Sequence, residues 1–112
     1  TTEQSGYDAI RALLRRQVAF DAVFGVSDLI AIGAMRALVE HGVNVPESVA
    51  VAGFDDIAMA CNVSPSLTTV AQDTRRAGRL LVETLIGQIE GQPVESVKLP
   101  TRLVVRRSST PA

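Results

Sequence analysis

The first part of the chain alternates between a helical pattern and a short apolar stretch. Over residues 2–16, apolar side chains recur at helical spacing on one face, which predicts a helix with Thr2 at its N-cap. Residues 20–26 carry aromatic and β-branched side chains with little alternation, a pattern typical of a strand covered on both faces. We therefore expect a helix followed by a buried strand.

The next predicted helix, residues 28–41, is apolar around nearly its whole circumference. Ser27 is a suitable N-cap, Asp28 favours the positive end of the helix dipole, and Gly42 ends the helix. Ile32 interrupts the narrow polar stripe, so packing inside the chain's own core explains it poorly. A helix with this pattern needs cover beyond one sheet, which implies a second layer or a partner subunit.

The remaining pattern continues the alternation of strands and helices. A second buried strand is predicted over 48–54, a short helical turn after it, and a β-rich segment over 67–72. Residues 74–91 form an amphipathic helical pattern, and two short strands follow that are broken at Pro100. This order predicts an α/β fold, with a parallel sheet flanked by helices and right-handed crossovers.

The helix predicted over 74–91 has one apolar face and one charged face. We expect the apolar side chains to point inward and one pair of opposite charges to form at i, i+4 on the outer face. The apolar side chains are Ala77, Leu81, Leu85 and Ile89, and the charged pair is Arg79 with Glu83.

Composition narrows the classes of function. The 112 residues allow one modest domain, and the net charge of -1 provides no basic field for nucleic acid. A single cysteine, Cys61, excludes an internal disulfide, and with a single histidine we expect no His/Cys metal site. No apolar run reaches the roughly 20 residues of a membrane span, so no membrane partner is expected.

Each of the two buried strands ends directly in polar residues. The first is followed by Ser27 and Asp28, and the second ends at Phe54 and is followed by Asp55 and Asp56. Ligands of open α/β sheets bind outside the carboxyl ends of the strands. A carboxylate there accepts hydrogen bonds from hydroxyls or amines, and an aromatic ring stacks on an apolar ligand face. These residues are therefore candidates for ligand contact.

Structural roles are the alternative for the three aspartates. Asp28 would then be an ordinary first-turn helix residue, and Asp55 and Asp56 would cap the short turn that starts at Ile57. For Asp28 and Asp56 we favour the structural role. A catalytic acidic pocket is not expected, because Lys98 is the only lysine and no nucleophile–base pair is visible. We therefore expect no enzymatic activity.

Motifs along essentially the whole chain resemble the C-terminal part of LacI/GalR-type transcriptional regulators. They are FDAVFGVSDLIAIGAMRALVEHGVNVPESVAVAGFDD, then SPSLTTVAQ, an amphipathic helix and the ending LPTRLVVRRSST, all in the family's order. The resemblance implies part of an effector-binding domain similar to periplasmic sugar-binding proteins, in which two α/β lobes clamp a small molecule. The implied effector is a sugar or a nucleobase-like molecule, and no cofactor is expected.

The resemblance also implies which residues contact the ligand. Ser27 matches the family's polar contact at its strand end, and because Asn is common there, one amide contact is lost here. Asp55 matches the carboxylate that binds ligand hydroxyls or a base amine, and Phe54 matches the aromatic before it. Thr74 matches a position that faces the cleft, where some members have an aromatic. Its small side chain implies a roomier or more polar pocket.

The same resemblance implies a homodimer. Ile32, Arg36 and Val39 match the outward face of the helix that lies at the family's subunit interface. Met59 and Val63, after the second strand, match another strip of that interface. Ordinary core packing is the alternative for these residues.

The resemblance further implies that residues 1–66 correspond to the C-terminal lobe. Residues 67–100 would then cross the hinge and supply a helix of the N-terminal lobe. Residues 101–112 are the return strand and tail of the C-terminal lobe.

The resemblance also implies that DNA would be bound only by an N-terminal domain missing from this chain, in the bacterial cytoplasm. The incomplete pair of lobes is not expected to be a stable monomer. The alternative function is a periplasmic sugar-binding protein of a transporter, which the self-pairing helix and the LPTRLVVRRSST ending disfavour.

Overall fold

The computed structural model describes residues 2–111, and its elements follow nearly the predicted order. They are α1 (Glu3–Arg15), β1 (Ala22–Phe24), α2 (Asp28–Glu40), β2 (Ala50–Ala52), a 3-10 turn (Ala58–Cys61), β3 (Thr69–Gln72), α3 (Thr74–Ile89) and β4 (Thr101–Val104). The predicted α/β fold with parallel strands is confirmed. The prediction of a strand before Pro100 is wrong, because residues 92–100 form no regular secondary structure.

The chain divides into two compact units. The first contains the residues up to Ala71 and those from Leu103 onward, and the second contains Gln72–Arg102. Both boundaries fall inside strands, because β3 and β4 each have residues in both units. The assignment of these units to the lobes of a regulator stays a prediction.

Parallel strands form the centre of the first unit. β1 and β2 pair in parallel, with Val23 opposite Val51. The chain beyond β2 continues in parallel with the segment of β3, through a bridge between Asp55 and Ala71. β3 and β4 form a second two-stranded sheet. Three parallel segments therefore end on the same side of the first unit.

The helices α1 and α2 cross so closely that each needs a glycine at the crossing. A Cβ at Gly6 would lie 2.0 Å from the carbonyl oxygen of Ile30, and a Cβ at Gly33 would lie 1.8 Å from that of Glu3. Both distances are far below van der Waals contact, so the absence of side chains lets the two backbones touch. α1 thereby supplies part of the second layer that the apolar circumference of α2 predicts.

The hydrophobic core of the first unit gathers side chains from both helices, β2 and the segment that enters β3. Leu38, Val51 and Leu67 are fully buried, and Ile10 of α1 packs in the same cluster. Ile32 belongs to this cluster as well, with only 6% of its surface exposed. The expectation that core packing explains Ile32 poorly is therefore wrong, because Ile32 is buried in the same core cluster as Ile10 of α1.

In the second unit, the apolar face of α3 is largely exposed. Leu81 and Ile89 are 71% and 76% exposed. The segment 94–99 lies along part of the helix and leaves a groove of about 550 Å³ between them. The face predicted to point inward is therefore not covered by the described residues of this chain. Arg79 and Glu83, both within the described range, do not form the expected ion pair.

We expect Gly33→Ala to destabilise the first unit, because its Cβ would collide with the backbone of α1. Overpacking of this kind typically costs about 1–3 kcal/mol, although alanine has a better helix propensity than glycine. Gly78→Ala in α3 is the matched control, since nothing lies within 4 Å of a Cβ there, and it should be neutral or stabilising. Urea denaturation followed by circular dichroism measures both variants. Equal or greater stability of Gly33→Ala would contradict the close crossing.

Candidate functional site

The polar residues that follow β1 and β2 lie side by side at the carboxyl ends of the strands. The backbone N–H of Asp28 donates to the carbonyl oxygen of Phe54 at 2.9 Å, and the N–H of Asp55 donates to that of Val70 at 3.0 Å. The structure thus brings together the two polar segments, as expected where parallel strands end at one edge of a sheet. Their contact with a ligand stays a prediction.

Asp28 is the buried centre of this edge. The residue has no exposed surface, and its carboxylate accepts hydrogen bonds from the N–H of Ile57 at 2.8 Å and the hydroxyl of Thr69 at 2.6 Å. Gly53 makes room for it, because a Cβ there would lie 2.4 Å from Oδ1 of Asp28. Asp28 therefore does more than begin α2, since it joins segments that follow β1, β2 and the entry to β3.

The turn after β2 contains two consecutive residues with positive φ. Asp55 has a φ of 122° and Asp56 a φ of 57°, in a region that residues other than glycine rarely adopt. The N–H of Asp56 donates to the hydroxyl of Thr69 at 3.3 Å, and its carboxylate accepts from Arg106 at 2.9 Å. The capping interpretation is wrong, because the residue before the 3-10 turn is Ile57 and no side chain caps it. Asp56 is structural through its ion pair instead.

The four predicted ligand contacts differ in their exposure. Asp55 is exposed, whereas Phe54 and Ser27 are half-buried. The Ser27 hydroxyl oxygen caps α2 by accepting from the N–H of Ile30 at 3.3 Å. A hydroxyl used as an acceptor still has its hydrogen to donate. Thr74 is exposed as the first residue of α3 and belongs to the second unit.

A groove of about 310 Å³ along α2, here called the α2 groove, contains four of the five residues predicted at a subunit interface. Its lining residues are Glu3, Ile32, Met35, Arg36, Val39, Glu40, Val63 and Ser64. Val39 is 54% exposed, whereas the buried Ile32 contributes only a small part of the groove surface. Met59 does not line the groove but lies on the 3-10 turn, 45% exposed.

Contacts within the chain build the polar edge of the α2 groove. The Arg36 guanidinium lies 4.0 Å from the centroid of the Tyr7 ring and pairs with Glu3 at 2.9 Å and with Glu40 at 3.7 Å. The Tyr7 hydroxyl donates to Glu40, and this hydrogen bond raises the pKa of Tyr7 above its ordinary value. Only the i, i+4 pair of Arg36 and Glu40 has a signal in the sequence. Glu3 and Tyr7 reach Arg36 because the helices cross closely.

The acidic residues of the candidate site are engaged with groups of the protein. Asp28 accepts from a backbone N–H and a hydroxyl, and Asp56 pairs with a guanidinium. Within residues 2–111, no three His, Cys, Asp or Glu side chains are placed together so that they could hold a metal ion. In the same range, none of the helices has the length and apolar character that crossing a membrane requires.

Comparison with known sequences identifies relatives along nearly the whole chain. The profile of the periplasmic binding protein-like domain matches residues 1–109. The HTH-type transcriptional regulator CelR of Thermobifida fusca is 43% identical over 109 residues, which are 96% of this chain and 32% of the relative. The chain thus spans about a third of the length of the curated relatives it matches.

Solved structures of regulators share both the fold and the sequence. A complex of the regulator CelR with cellobiose is 43% identical with a TM-score of 0.88, over 96% of this chain and 34% of that chain. The lac repressor dimer bound to operator and an anti-inducer is 33% identical with a TM-score of 0.91, over 96% and 38%. The resemblance to the C-terminal part of LacI-type regulators is confirmed, and the chain belongs to the family of periplasmic binding protein-like domains.

Proposed function

We propose that this chain is the effector-sensing and dimerisation portion of a LacI-type transcriptional regulator of the bacterial cytoplasm. DNA is bound through a domain outside this chain. The observation that carries the proposal is the meeting of two predicted ligand-contact segments at the start of α2, the helix whose later residues line the α2 groove. One helix thus connects the two surfaces that such a sensor needs.

The proposed effector is a small polar molecule of the sugar class. Asp55 is exposed at the strand ends, and its carboxylate accepts hydrogen bonds from two neighbouring hydroxyls of a sugar. Phe54 packs against an apolar face of the sugar ring, and the Ser27 hydroxyl donates to a ring substituent. The cellobiose complex of the relative CelR supports this class. A nucleobase-like effector, which would offer amines to Asp55, is the second chemistry.

The proposed oligomer is a homodimer that buries the α2 groove. Val39 and Met59 are large apolar side chains left 54% and 45% exposed by the chain itself. Arg36 at the polar edge of the groove is already oriented by Tyr7 and Glu3, so little side-chain freedom remains to be lost on association. The relative with a TM-score of 0.91 is a repressor dimer, which supports a dimeric state here.

A periplasmic sugar-binding protein of a transporter is the alternative with the same fold. The similarity to regulators favours sensing over transport, because the relatives reported above are a transcriptional regulator and a repressor. An enzymatic activity is not part of the proposal, since the carboxylates of Asp28 and Asp56 are held in structural hydrogen bonds.

We expect Asp55→Asn to weaken effector binding about 10- to 100-fold, because an amide replaces a carboxylate that accepts two hydrogen bonds. Asparagine tolerates positive φ, so the turn is preserved. Isothermal titration of the complete encoded protein with cellobiose, glucose, ribose, adenine and guanine measures the change. Asp21→Asn, at the opposite end of β1, is the control and should bind normally. If Asp55→Asn binds as tightly as the wild type, Asp55 is not a ligand contact.

We expect Val39→Glu to convert a dimer into monomers, because burying an unpaired carboxylate in an interface is strongly unfavourable. Val39→Thr is the matched control, since it keeps the shape of the side chain and adds no charge. Sedimentation of the complete encoded protein over a range of concentrations distinguishes the two states. A Val39→Glu protein that remains dimeric would remove the α2 groove from the interface.

A further inference from the structure

Two consecutive backbone N–H groups of the turn after β2 point into the protein, toward the same buried pair of side chains. The N–H of Ile57 donates to the carboxylate of Asp28 at 2.8 Å, and the N–H of Asp56 donates to the hydroxyl of Thr69 at 3.3 Å. The Thr69 hydroxyl in turn donates to Asp28 at 2.6 Å. The Thr69 hydroxyl therefore links the turn to the Asp28 carboxylate, because it accepts one hydrogen bond and donates the other.

This arrangement accounts for the unusual backbone of the turn. A chain that leaves β2 in extended conformation would point successive N–H groups to opposite sides. The positive φ of Asp55 and Asp56 allows the N–H groups of the next residues, Asp56 and Ile57, to face inward together. Conformations of this kind persist only where the surroundings hold them. Asp28 and Thr69 are fully buried, so the hydrogen bond between them forms away from water, whereas the two from the half-buried turn are partly shielded.

We propose that Asp28 and Thr69 are positioning residues that hold the turn in the conformation in which Asp55 is presented to the effector. Only the claim that Asp55 is presented to an effector rests on the proposed function. The hydrogen bonds that hold the turn are present without a ligand. Neither residue contacts the effector. Each accepts a hydrogen bond from a backbone N–H of the turn on its buried side. The backbone conformation held in this way determines the direction of the Asp55 side chain.

Arg106 holds the same turn from the C-terminal tail. Its guanidinium donates to the Asp56 carboxylate at 2.9 Å and to the carbonyl oxygen of Leu67 at 3.0 Å. This contact acts on a side chain, whereas Asp28 and Thr69 act on the N–H groups of the backbone. The backbone contacts therefore determine the peptide orientation, and the ion pair limits how far the turn moves away.

The test uses Thr69 because Asp28→Ala would leave two buried donors without an acceptor and is expected to prevent folding. Thr69→Val keeps the shape and removes the hydroxyl, whereas Thr69→Ser restores the hydroxyl. Leu38→Ala is the stability control, since Leu38 is a fully buried core residue that makes no contact with the turn by hydrogen bonding. All variants are made in the complete encoded protein and measured well below their melting temperatures.

Two readouts are measured for each variant. Hydrogen exchange of the Asp56 and Ile57 amides, followed without ligand, should accelerate in Thr69→Val and remain slow in Thr69→Ser and Leu38→Ala. Affinity for cellobiose, or for whichever sugar or base of the panel binds the wild type, should fall about tenfold in Thr69→Val and be restored in Thr69→Ser.

Unchanged exchange of both amides in Thr69→Val overturns the proposal. So does an equal loss of affinity in Thr69→Val and Leu38→Ala, since stability alone would then explain the effect. Accelerated exchange with unchanged affinity also overturns it, because the turn would then not position the effector contact. If no ligand of the panel binds the wild type, the proposed function fails, and the exchange measurement alone decides whether Asp28 and Thr69 hold the turn.

Discussion

The structure of the first unit depends on one buried carboxylate. Asp28 follows β1, yet its side chain accepts hydrogen bonds from the turn after β2 and from a hydroxyl at the start of β3. A polar group without exposed surface is unfavourable unless it is hydrogen-bonded. Each carboxylate oxygen of Asp28 accepts a hydrogen bond from another segment, one from Ile57 and one from Thr69. Burial of Asp28 therefore requires the start of α2, the turn after β2 and the start of β3 to be correctly placed relative to one another. The edge of the sheet and the turn that carries Asp55 are therefore formed together.

The same requirement explains how the C-terminal tail is attached. Ser108 is fully buried, and its hydroxyl donates to the carbonyl oxygen of Val51 at 2.6 Å and accepts from the N–H of Thr68 at 2.8 Å. Its own backbone bonds to Val51 and Ser66. Buried N–H and C=O groups must be paired, and Ser108 pairs those that β2 and the segment before β3 leave open. A serine is suited to this because one hydroxyl both donates and accepts.

The sequence predicts best where the signal is local. The helices α1 and α2 begin next to Thr2 and Ser27, whose side chains cap them as expected, and α2 ends just before Gly42. The strands are shorter than their apolar patterns, because beyond Phe24 and Ala52 the ladder continues only through single hydrogen bonds such as Gly25 to Ala52. The expected burial of the first strand is wrong, because Ala22 and Phe24 of β1 are exposed and only Val23 is half-buried. An apolar pattern therefore shows neither where the pairing of two strands stops nor whether both faces are covered within this chain.

Contacts between distant segments leave no such signal. The pairing of Asp56 with Arg106 joins residues far apart in the chain, and nothing in their neighbours marks them as partners. The crossing at Gly6 and Gly33 is also hidden, since a glycine in a helical pattern is as consistent with weak propensity as with close packing. The apolar circumference of α2 did indicate that a further layer was needed. It did not distinguish cover by the chain itself from cover by a partner subunit, and Ile32 is buried in the chain's own core while Val39 is left exposed.

α2 is the element that the two proposed surfaces share. Its first residue, Asp28, is tied to the turn that carries Asp55, and its later residues line the α2 groove. The backbone of α2 also touches α1 at Gly33, so in the proposed sensor any displacement of the start of α2 would have to be accommodated at this crossing. An effector shifts such an equilibrium only as far as it binds one arrangement better than the other. In the proposed sensor, this difference in affinity therefore limits how far the effector can change the arrangement at the α2 groove.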